Sequence, residues 1–178
     1  MVVVICLAAA VVGALGNRIR GGLFPIPGGT QVGRLVGWGL PVAAMAWLCG
    51  MVWWAAVLAG LGAFLGCCVG QYGGLSMGHR GPAPAVSPWL TMTVWGLARV
   101  AGPAVVVWWT GGAWWLVVAS GLACAPIYWA VWMLPDWALR IPGLGRGTGP
   151  GEARDQPEVA EALDGALMLA FLAGAVLP

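Results

Sequence analysis

Apolar runs long enough to enter a bilayer alternate along this chain with short stretches rich in Gly, Pro and Arg. The first run, Met1 to Gly16, makes about 24 Å of helix and lacks the basic start of a secretory leader, which predicts a retained first helix. Val32 to Val69 is too long for one crossing, since about 57 Å of helix exceeds a hydrocarbon core of about 30 Å. A turn at Cys49-Gly50 divides it into helices of about 30–48 and 51–70. Ser87-Pro88 supplies an N-cap and a first-turn proline for a helix over 88–109. Thr110-Gly111-Gly112 turns the chain into a fifth helix over 113–134, with Pro126 as a kink. Residues 135–155 are polar and rich in Gly and Pro and read as a loop. Asp155 and Glu158 are spaced as a capping box for a last helix over 156–177.

The prediction is an all-α polytopic membrane helix bundle of about six transmembrane helices in a single domain. Composition agrees with this, because the chain is 61% hydrophobic and only 8% charged, with a mean hydropathy of +0.89. No soluble exterior can be made from so few charges. A lipid bilayer is the expected partner, and a homo-oligomer is compatible with the pattern.

Charge then orients the bundle. Every basic residue is arginine, and every carboxylate side chain lies at or after Asp136. Arg18, Arg20 and Arg34 fall between helices one and two, Arg80 between three and four, and Arg140, Arg146 and Arg154 between five and six. The positive-inside rule puts these three loops on the cytoplasmic side and both termini on the other, in a bacterial or phage-type inner membrane. Trp47, Trp53, Trp54, Trp108, Trp109, Trp114 and Trp115 flank the two uncharged turns as an interfacial belt would. Trp53-Trp54 with Gly60-Leu61 also matches Trp114-Trp115 with Gly121-Leu122 at a constant offset, which suggests that the two central hairpins are a parallel duplication.

Gly62, Gly66, Gly70, Gly74 and Gly78 recur at every fourth position. Glycine costs about 1 kcal/mol relative to alanine within a helix, so such a row needs a use, and close helix packing is the obvious one. The row looks like the glycine-zipper segments of some channels. Where the third helix stops is open: a stop near Gly70 makes 71–81 a cytoplasmic turn, whereas a helix through Gly78 lengthens the packed face.

Catalytic chemistry finds little material. Gly74-Leu75-Ser76-Met77-Gly78 satisfies the G-x-S-x-G pattern of serine hydrolases, and His79, the single histidine, lies three residues beyond Ser76. The serine between glycines and the helix count resemble rhomboid-type intramembrane proteases. That resemblance implies a histidine on a later helix, and none follows His79. Five cysteines without C-x-x-C spacing indicate small buried hydrophobes, so no metal site or cofactor is expected. Nor do carboxylates cluster as magnesium-dependent lipid enzymes require. The arginines are scattered over loops, which argues against nucleic acid as a partner.

Arg99 alone among the charges falls well inside a predicted helix. It stands 15 residues before Trp114, whereas Arg34 stands 19 before Trp53, so Arg99 sits roughly 6 Å deeper. Either its side chain extends to the inner interface or it pairs with Asp164 across the fourth and sixth helices. Near the cytoplasmic surface, Thr30 and Arg34 at a helix start, with Arg18, Arg20, Arg80 and Arg99, form a set suited to an anion or a lipid headgroup. The favoured expectation is a transport or pore-type bundle with an arginine-rich cytoplasmic mouth, and enzymatic activity is the less favoured class. Alternatives are a holin-like oligomerising protein and an intramembrane serine hydrolase using Ser76 and His79.

Overall fold

The computed structural model describes Val4, Ala8, Val11 and residues 29–78, 88–133 and 156–177. Val4, Ala8 and Val11 are helical. The remainder of the expected first helix, the loops carrying Arg18, Arg20, His79 and Arg80, and the whole polar loop 135–155 lie outside the described residues. The described residues are helical apart from short turns. They form α1 (Gly29–Arg34), a π-helical turn (Leu35–Gly39), α2 (Leu40–Leu48), α3 (Trp53–Gly78), α4 (Pro88–Trp109), α5 (Trp114–Leu122), α6 (Cys124–Met133) and α7 (Gln156–Val176). Three stretches, Trp53–Gly70, Trp89–Trp109 and Trp114–Val131, are long and apolar enough to cross a membrane, and Ala162–Val176 is a shorter apolar helix.

Two glycines make the tight turns. Gly50 and Gly111 both take positive φ, at 100° and 82°, which residues with a Cβ rarely adopt. Around Gly50 the bonds are Gly50 N–H to Trp47 O and Met51 N–H to Ala46 O, each 3.0 Å. Around Gly111 they are Gly111 N–H to Trp108 O at 3.1 Å and Gly112 N–H to Val107 O at 2.8 Å. Both sets are Schellman caps, which satisfy the orphan carbonyls of a helix end. Every participant in one turn lies 61 positions from its counterpart in the other. The hairpin of α1, α2 and α3 and the hairpin of α4, α5 and α6 therefore close by the same device.

Proline interrupts the helices where it removes a donor. Pro41 follows the π-helical turn, in which Leu40 N–H reaches back five residues to Leu35 O. Its ring crowds the carbonyl of Gly37 and offers no N–H, and widening of the preceding turn relieves both. Pro126 withholds the N–H that would bond to Leu122 O, and the expected fifth helix divides there into α5 and α6, on either side of Ala123.

The helix expected to stop near Gly70 continues to Gly78. No proline lies between Gly70 and Pro82, and Gly70 serves as a contact rather than a stop: a Cβ there would stand 2.7 Å from Trp95 Cδ1. Residues 71–78 are thus helix rather than part of a turn, and residues from His79 on lie outside the described ones.

Size decides which face of α3 points inward. Its buried positions include Ala55, Ala56, Ala59, Ala63 and Cys67, while Val57, Leu58, Leu61, Leu65 and Val69 are exposed. In water this would leave the larger apolar side chains unburied. In hydrocarbon it is favourable, because small residues allow backbones to approach and large ones meet lipid. The seven tryptophans around the two turns are likewise exposed, and Trp54 meets Trp109 edge to face at 5.4 Å.

Backbone contact follows the glycines. A Cβ on Gly60 would lie 2.5 Å from Gly39 O, one on Gly62 would lie 2.8 Å from Gly102 Cα, and one on Gly96 would run into Gly121 O. Each neighbouring pair in the series from the π-helical turn to α3, α4 and α5 thus meets through glycine. The α3 and α4 pair is the most extensive, and α7 lies across α2, α5 and α6. The inner positions Val42, Ala46, Ala59, Val100, Val107, Val117, Met168 and Leu172 form one core.

Candidate functional site

Arg99 stands halfway along α4 and Asp164 in the first half of α7. Each is 1% exposed, and Arg99 Nη1 pairs with Asp164 Oδ2. Of the residues singled out from the sequence, these are the two charges brought together at the centre of the bundle. Arg99 does not extend to an interface; its charge is enclosed.

Aromatic rings enclose it. The guanidinium carbon lies 4.1 Å from the ring centroid of Trp95 and 4.5 Å from that of Trp38. Trp95 is four residues earlier on the same helix, so helical spacing alone places it beside Arg99. Trp38 comes from the π-helical turn, whose wider winding changes the direction of the side chains it carries. Trp95 is itself held edge to face by Tyr128 of α6 at 5.7 Å. A guanidinium is weakly hydrated and stacks on aromatic faces, which makes it the cation best suited to such a place.

Two backbone features bring α4 into position. A Cβ on Gly66 would run into Ala98 O and would stand 2.9 Å from Arg99 Cα, so glycine is required where α3 passes the arginine. Pro103 lies inside α4 and withholds the N–H that would otherwise bond to the Arg99 carbonyl.

Hydrogen bonding at the centre is incomplete. Arg99 Nε is buried without a hydrogen-bond partner, while Nη1 and Asp164 Oδ2 are taken up by their ion pair. Buried polar atoms of this kind ordinarily find partners, and exceptions often mark a working site.

A second buried arginine lies on α1. Arg34 is 5% exposed; its Nη1 donates to Gln31 Oε1 at 2.8 Å and to Cys68 Sγ at 3.6 Å. It precedes Trp38 by four residues, about one helical turn. Thr30 and Ser76 lie in α1 and α3, but their side chains are outside the described residues, as are Arg18, Arg20, His79 and Arg80. Gly74 and Gly78 are helical; Gly62, Gly66 and Gly70 contact α4. Among the described residues, no three His, Cys, Asp or Glu side chains gather as metal ligands would.

Sequence reasoning did not find Trp38 or Trp95. Trp95 was available from its helical spacing to Arg99. Trp38 was available from the repeat, since it precedes Arg99 by the same 61 positions that separate the two turns. No family model, curated protein or solved structure matches the chain.

Proposed function

We propose that the chain is a multi-pass protein of the cytoplasmic membrane, with six spans and both termini outside, that carries small anions through an arginine-rich inner mouth. The observation that carries this reading is the burial of Arg34 and Arg99 inside the bundle, Arg99 covered by the ring of Trp38. Arginines that only fix topology or touch headgroups remain at the surface, because burial costs at least a few kcal/mol each.

Orientation has its own support. Gly50 to Val52, Gly111 to Ala113 and Ala175 to Leu177 line one depression, and Ala113 N–H bonds to Ala175 O at 3.0 Å. The two uncharged turns and the end of α7 therefore share one end of the bundle. The opposite helix ends adjoin the chain segments that carry Arg80, Arg140, Arg146 and Arg154, which the positive-inside rule assigns to the cytoplasm.

The test is chloride entry into liposomes that contain the purified full chain and an internal chloride-sensitive dye. Wild type admits chloride and excludes a neutral sugar; Arg34→Ala slows entry while remaining monodisperse in detergent. Leakage of the sugar at a comparable rate would indicate a holin-like protein, and absence of any flux would remove the transport reading.

A further inference from the structure

We propose that Arg99 and Asp164 together form a proton-coupled site for one small monovalent anion, which binds at the edge of the Arg99 guanidinium when Asp164 takes up a proton. The inference rests on the transport reading above and specifies its substrate class and coupling.

The argument starts from which donors are accessible. Trp38 and Trp95 cover the guanidinium at 4.5 and 4.1 Å, so a ligand must approach along the edge. Nη1 is taken by Asp164, and Nε, whose N–H points away from the Nη1 side, is buried with no hydrogen-bond partner. A small oxyanion or halide beside Nε would give that orphan donor a charge-assisted hydrogen bond.

Charge balance supplies the coupling. Among the described residues, the other titratable groups near the pair are Cys124 and Tyr128, both from α6. Thiol and phenol are neutral near pH 7 in their ordinary state. The π-helical turn contributes Trp38, which does not titrate, and α3 approaches with Gly66. The centre thus holds one positive and one negative charge.

A proton moving from water to Asp164 breaks the ion pair and leaves Arg99 with an uncompensated charge in a low-dielectric interior, which is strongly unfavourable. One monoanion restores neutrality; a dianion would overcompensate. Proton and anion each raise the affinity for the other, as linkage requires. Release to the opposite side returns the proton to water and the carboxylate to Arg99.

The experiment uses the full chain in liposomes, with chloride, nitrate and sulfate as probes and a pH dye inside. An acid-outside pH gradient should drive wild-type chloride or nitrate uptake against its own gradient, one proton entering with each anion, and sulfate should not be taken up. Asp164→Asn, which cannot release a proton, should lose all proton movement while still exchanging radiolabelled chloride. The wild-type arm is decisive even where a variant fails to fold. Chloride flux that no pH gradient can drive uphill, or sulfate carried as fast as chloride, would overturn this site and leave the transport reading in place. No flux of any anion through monodisperse wild-type protein would overturn both.

Discussion

Trp38 and Arg99 stand 61 positions apart in the chain, and the indole of one covers the guanidinium of the other at 4.5 Å. The same separation relates Gly50 to Gly111, so the two residues occupy equivalent places in the first arms of the two hairpins. Where the hairpins meet, one supplies a cation and the other the ring that covers it. A desolvated contact of this kind is worth about 2 kcal/mol or more.

Removing the ring tests that contact. Trp38→Ala should destabilise the protein by about 3–5 kcal/mol, combining cation–π loss with the cavity left behind. Trp38→Phe keeps a ring face and should fall between wild type and Trp38→Ala in denaturant unfolding in mixed micelles.

The ion pair is tested by a double-mutant cycle. Arg99→Met and Asp164→Leu each leave a buried charge alone and should cost about 3–5 kcal/mol. The double variant should be no less stable than the weaker single. Simple addition of the two losses would mean that the side chains do not interact.

Gly66 and Gly174 provide a contrast in helix packing. Gly66→Ala places a methyl group against Ala98 O and Arg99 Cα and should cost about 1–3 kcal/mol by overpacking. Gly174→Ala meets only Leu116 Cδ1 at 3.8 Å. It should leave stability unchanged or raise it by up to about 1 kcal/mol, the helix propensity gained. Thermal melts of the two variants in one detergent make the comparison.

Pro41 is expected to hold the π-helical turn open. Pro41→Ala restores a donor for Gly37 O, and closure to α-helix would rotate the preceding segment by roughly 100°, one residue of helix. Gln31 and Arg34 would then leave Cys68, which they contact at 3.6 Å. In a Cys6→Ser background, maleimide labelling of Cys68 should accelerate. An unchanged rate would show that the contact of Gly39 with Gly60 holds the turn without the proline.

Several elements were legible in the order of residues because their causes are local. Gly50 and Gly111 end helices because a Schellman cap needs positive φ. Pro88 begins α4 because proline lacks the donor that a first turn does not use. Apolar run lengths against bilayer thickness predict about six crossings, and three described helices are long and apolar enough to make one.

Other features depend on which helix lies beside which, and a linear pattern does not carry that. The row at Gly62, Gly66 and Gly70 is visible in the chain, but its partners Gly102, Ala98 and Trp95 are not. Nor was the end of α3 readable, since glycine suits a helix stop and a helix contact equally well. Arg99 could be recognised as deep from its distance to the tryptophans. Whether it reached water or a partner was decided by packing: α7 brings Asp164 to it, and the π-helical turn brings Trp38. The sequence alone determined that one charge would be costly to bury, because that follows from hydrocarbon and helix rise. Only the tertiary structure decided how the cost is met, because opposite charge and aromatic faces act over a few ångströms between segments distant in the chain.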